Sequence, residues 1–136
     1  MRLFTTGQIL KLAGLSSTTF DTWCREGIVK AYGEGNGTGN HRRFSLMQAV
    51  GIVVGAELRR TERSCVLSYV GKVVEAFTAM SEDDLLKRFA KKVVFLAAIH
   101  QGKPLLDSVF YTDRIDVQAV YRQVTERVEQ PETIDG

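Results

Sequence analysis

The side chains with the most chemistry in them fall into two short runs. Ser16, Ser17, Thr18, Asp21, Thr22 and Arg25 form the first, and His41, Arg42 and Arg43 the second. Hydroxyls and guanidinium groups at this density are donors for another polar surface, of the kind that phosphate oxygens and base edges present. Covalent catalysis needs groups that converge, and the sequence offers few. His100 and Asp107 would face each other across an expected hairpin, but no nucleophile is placed near them. Asp83 and Asp84 are adjacent, so on a helix they point apart and serve as a helix start. The glycines of the 33–39 stretch lack the Lys-Ser/Thr that completes a phosphate loop. Cys24 and Cys65 have no metal-ligand spacing. Neither an enzyme nor a metal nor a cofactor is therefore expected.

The first run needs a helix to present it. Ser16 or Ser17 can cap that helix, and Gly27 fits the left-handed position that ends one. Phe20 and Trp23, with Cys24, share one face, while Thr18, Asp21, Thr22 and Arg25 share the other. Just before it, Thr5 and Gln8 have capping-box spacing, Ile9, Leu12 and Ala13 give an apolar face, and Gly14 stops the turn. Two short helices joined by Gly14-Leu15-Ser16 make a helix-turn-helix. The glycine-rich stretch 33–40 reads as a hairpin tip, a wing that ends in His41, Arg42, Arg43 and Phe44.

The ordered set Thr6-Gly7-Gln8-Ile9, Ala13-Gly14-Leu15-Ser16, Thr19-Phe20, Trp23, Gly27-Ile28-Val29 and Arg42-Arg43-Phe44 resembles the mercury-resistance regulator (MerR) family over roughly the first 60 residues. The resemblance implies a winged helix-turn-helix that binds double-stranded DNA. It places Ser17, Thr18, Thr22 and Arg25 nearest the bases, with Ser16 also in the DNA-binding set, Thr6 and the free amides of the first helix on a phosphate, and His41, Arg42 and Arg43 on the flanking backbone. Phe44 stands where the family has a tyrosine, and Asp21 where it commonly has an arginine. Metal sensors of that family use cysteines after the dimer helix, and this chain has none there.

Beyond the wing, Ser45 and Gln48 form a second capping box that opens a helix to about Arg60. Leu46, Val50, Val53, Val54 and Leu58 recur at helical spacing, and the helix is expected to close a core with Phe4, Leu15, Phe20, Trp23 and Phe44. Arg59 and Arg60 read as its solvated end. Residues 63–80 read as the next helix. Val66, Val70, Val73, Phe77 and Met80 alternate by four and three, which is a coiled-coil seam. The seam faces either this chain's own core or a second copy, and the family resemblance favours a homodimer. Ser81-Glu82-Asp83-Asp84 starts a helix to about Lys91. The run 93–99 is expected to be a strand that pairs with 105–111, the competing reading being one helix from Glu82 to His100. Asp116 caps a last helix with Val117, Val120, Tyr121, Val124 and Val128 on one stripe, and 130–136 reads as a disordered tail.

The expected fold class is thus α+β, mostly α: a DNA-binding domain over 1–62, a dimerisation helix over 63–80, and a small C-terminal α/β module with a hairpin over 81–129. That module is the expected seat of a small-molecule or protein effector. The chain has 136 residues, and 44% hydrophobic with 25% charged content is that of an ordinary soluble protein. No secretory leader and no apolar run of about 18 residues are present, so a cytoplasmic, nucleoid-associated protein is expected. Net charge is +2 overall, but residues 1–63 hold nine Lys/Arg against five acids. The surplus sits on the half with the helix-turn-helix, as a phosphate-binding surface requires. The sequence thus supports a sequence-specific regulator on a two-fold operator. A protein-interaction adaptor, antitoxin-like or structural, and an excisionase-like architectural factor are the alternatives.

Overall fold

The computed structural model describes residues 3–32, 42–61, 67–88, 94–96, 110–112 and 116–129. Two copies of one local pattern start the molecule. Strand β1 (Leu3–Thr5) runs straight into helix α1 (Thr6–Ala13), and β2 (Arg43–Ser45) runs straight into α3 (Leu46–Thr61). Both junctions are capping boxes. The Gln8 amide donates to Thr5 Oγ1 at 3.2 Å while the Thr5 amide donates to Gln8 Oε1 at 2.9 Å. Ser45 and Gln48 repeat the exchange at 3.1 and 2.8 Å. The two strands pair antiparallel with Phe4 opposite Phe44, and both rings are buried.

Between these units lies α2 (Ser17–Arg25). Ser16 is the residue that caps it, its Oγ accepting from the Thr19 amide at 3.1 Å. Gly14 ends α1 at φ 68°, a conformation that costs a side-chain-bearing residue about 1 kcal/mol or more. A two-residue turn, Gly14 to Leu15, then leads to the Ser16 cap of α2. Phe20 and Trp23 go inward, and Phe20 meets Phe44 edge-on at 5.4 Å. The Tyr32 amide donates to the Arg43 carbonyl at 2.7 Å, so the two ends of the segment 33–41 are held together. The glycine-rich tip and His41 lie outside the described residues.

Helix α3 is the centre of the molecule, touching α1, α4, α6, β1 and β2. Its most extensive partner is α4 (Leu67–Thr78). Gly51 makes this approach possible: a Cβ there would lie 3.0 Å from Phe77 Cβ and 3.1 Å from Val74 Cα. The 4-3 stripe accordingly faces inward. Val70, Val73 and Phe77 are 0% exposed and pack on this chain's own α3, so they are not a free seam between two chains. Heptad spacing specifies that a stripe is buried, and here α3 is what buries it. Residues 63–66, expected to begin that helix, lie outside the described residues.

Helix α5 (Glu82–Arg88) is capped by Ser81, whose Oγ accepts from the Asp84 amide at 3.1 Å. Strands β3 (Val94–Leu96) and β4 (Phe110–Thr112) pair antiparallel with Phe95 opposite Tyr111, which is the hairpin and not the long helix from Glu82 to His100. The facing of His100 and Asp107, and the tail 130–136, fall outside the described residues. Helix α6 (Val117–Glu129) is capped by Asp116, which accepts from the Ala119 amide at 3.0 Å. Val117, Val120 and Val124 join the same buried cluster as Phe4, Phe20, Val53 and Val73. Elements on both sides of the boundaries expected near 62 and 80 thus contribute to one buried cluster. Among the described residues the chain is mostly helical with two small antiparallel strand pairs, and no described helix is long and apolar enough to cross a membrane.

Candidate nucleic-acid interface

The first turns of α1 and α2 open on one surface groove of about 470 Å³, lined by Thr6, Gly7, Leu10, Ser17, Thr18, Phe20, Asp21 and Arg42. The amides at a helix start have no intrahelical partner, and the positive ends of two helix dipoles meet here. Sequence-expected residues Thr6, Ser17, Thr18 and Arg42 therefore share one place. Ser16, which caps α2, and Thr22 and Arg25 on it lie outside the groove lining. Ser16 spends its hydroxyl on the cap. Thr22 Oγ1 donates to the Thr18 carbonyl at 3.1 Å, and Arg25 lies one turn further on, its side chain 66% exposed.

The Arg42 side chain is held against α2 rather than left as a mobile grip. The Arg42 side chain is only 12% exposed, and its Nη1 donates to Asp21 Oδ1 at 3.1 Å. It is a brace between the start of β2 and α2. Arg43 lies in β2 opposite Thr5 and is half-buried, with Nη1 donating to the Arg42 carbonyl at 2.9 Å. A second guanidinium reaches the same carboxylate, Arg25 Nε on Asp21 Oδ2 at 3.0 Å. The Arg42 hydrogen bond, with the positive charges of Arg25 and Arg42, holds the Asp21 carboxyl below the usual carboxylate range. Asp21 is thus ionised across the whole neutral range. On the inner side of α2, burial pushes the Cys24 thiol up, which keeps it protonated and a poor nucleophile.

Asp21, which the sequence singles out as a departure from the family pattern, lines the groove and joins Arg25 and Arg42 there. Its i,i+4 spacing to Arg25 was a visible signal; its pairing with Arg42, 21 positions away, was not. Arg60 is also recast. Its Nη1 donates to the Ala13 carbonyl at 3.0 Å, so it closes the end of α1 rather than waving in solvent, and it pairs with Glu57 besides.

A second cleft, about 440 Å³, lies between Gly27–Lys30, Gln48 and the outer face of α4, with Lys72, Glu75 and Thr78 on its wall. It adjoins the segment after α2 and the outer side of α4 rather than the expected C-terminal effector module. Gln48 is buried there, and its side-chain amide donates to the Lys30 carbonyl. No group of three or more His, Cys, Asp or Glu among the described residues is placed to hold a metal ion. Comparison with family models, with curated proteins and with solved structures returns no match for this chain.

Proposed function

We propose that the chain is a sequence-specific DNA-binding regulator that uses residues 1–62 as a winged helix-turn-helix, with α2 in the major groove. The observation that carries this reading is the shared groove, where the starts of α1 and α2 converge with Thr6, Ser17 and Thr18 at its edge. Helix starts bind phosphate, and a helix face of short hydroxyl side chains fits close to base edges. The closed base of segment 33–41 supports a wing beside it, and the surplus of Lys/Arg over acids in residues 1–63 has the right sign.

The test is fluorescence anisotropy on duplex DNA across a salt series. Log affinity should fall linearly with log salt, and Arg43→Ala should shallow the slope by about 1. Arg42→Ala should act chiefly by releasing Asp21. A specific observation favours the adaptor reading: two of the arginines expected on DNA are already paired with Asp21. Absence of duplex binding even at low salt would decide for it, and bending of bound DNA would favour the architectural reading. A homodimer on a two-fold operator remains part of the proposal, but it needs a surface other than Val70, Val73 and Phe77, which α3 occupies. Light scattering with and without DNA measures that.

A further inference from the structure

We propose that Asp21 is a base-reading residue, accepting a hydrogen bond from the exocyclic amine of a cytosine in the major groove. The inference rests on the DNA-binding reading above. Asp21 lies midway along α2, 46% exposed, and lines the groove beside Ser17 and Thr18. Both of its oxygens are held from the protein side, Oδ1 by Arg42 and Oδ2 by Arg25. An ionised carboxylate has about four acceptor positions, so each oxygen keeps one for an incoming donor. The arrangement is also pre-set, because the Arg42 side chain is nearly buried and cannot follow a swinging carboxylate.

The major groove offers a fixed choice to such a group. Guanine presents two acceptors and thymine an acceptor with a methyl, and all of these repel or exclude a carboxylate. Adenine offers a donor, but its N7 acceptor sits beside it. Cytosine presents its amine alone, and it is the base edge that complements an acceptor-only side chain. The same negative charge disfavours the phosphate backbone, which lowers binding to sequence at large. Asp21 thereby discriminates while Arg25 and the helix starts attract.

Selection of bound duplexes from a randomised library, run with the full chain and with Asp21→Asn and Asp21→Ala, tests this. Trp23 emission identical to that of the parent establishes that each variant is folded. The parent should enrich cytosine at one position by roughly 5- to 100-fold over the other bases, the range for one good base contact. Asp21→Asn should move that position to adenine, which an amide matches at N6 and N7. Asp21→Ala should flatten it. Identical base weights from the parent and both variants would overturn the assignment of Asp21 while leaving DNA binding intact. If the parent itself enriches nothing, the DNA-binding reading falls, and this inference with it.

Discussion

Asp21, Arg60 and Trp23 do different work, and each makes a prediction at its own position. The Asp21 carboxyl is held low by Arg42 first, with Arg25 assisting. A carboxyl whose folded pKa is depressed adds stability that is complete above its unfolded pKa and is lost as pH falls through the folded value. The Asp21 ion pairs should therefore be indifferent to pH near neutrality and dissolve only in strong acid. A carboxyl-detected NMR titration should show the Asp21 midpoint rising in Arg42→Met; an unmoved midpoint would refute the pairing. Arg60 satisfies the Ala13 carbonyl at the end of α1, so Arg60→Met should cost about 0.5–1.5 kcal/mol in urea unfolding. Trp23 is 4% exposed and faces the core. Trp23→Ala should cost about 3–5 kcal/mol, and a variant that kept its melting temperature and lost only DNA binding would place the ring in the interface instead.

At the scale of elements, the sequence was most legible where a side chain bonds to the backbone beside it. Thr5 with Gln8, Ser16, Ser45 with Gln48, Ser81 and Asp116 all start helices as their spacing said, because a cap is a local contact. The pairing of Leu3–Thr5 with Arg43–Ser45 was not legible. Three residues are too few to show an alternating pattern, and the partner lies across the whole helix pair. Nor did the Val70–Val73–Phe77 stripe say which surface would cover it. Gly51 held that information, since only a bare backbone admits α4 so closely to α3. Gly51→Ala should gain about 1 kcal/mol of helix propensity and lose about 1–3 kcal/mol to overpacking against Val74 backbone, for a net loss. Gly7→Ala, which meets only Thr5 Oγ1 at 3.9 Å, should gain roughly 0.5–1 kcal/mol. Thermal melts of the two variants should move in opposite directions.

For the whole molecule, the continuous core decides how the chain can be divided. Val73 is 0% exposed within a single copy, so Val73→Glu buries an unpaired carboxylate at a cost of several kcal/mol. Circular dichroism should show the entire chain unfolding, including the part that carries α2. A folded variant that had merely changed from dimer to monomer in light scattering would mean that Val73 belongs to an intermolecular seam after all. Truncation after Thr61 should fail for the same reason: α3 would present Val50, Val54 and Leu58 without their cover, since these are buried in the cluster shared with α4 and α6. The candidate docking face was legible as a set of residues but not as a charge arrangement, because the Asp21–Arg42 pair depends on how β2 meets α2.

Helix α3 is buried almost all round, with Ala49, Val50, Ile52, Val53, Val54, Ala56 and Leu58 each at 4% exposure or less. In heavy water its amides should keep their protons until the entire molecule opens, and so report the global free energy of unfolding. The amides at the starts of α1 and α2, which lie at the groove, should exchange through local opening long before. A duplex seated on those two helix starts would then slow exchange there and leave α3 nearly unchanged. The molecule thus carries its own reference clock beside the surface on which binding is to be timed.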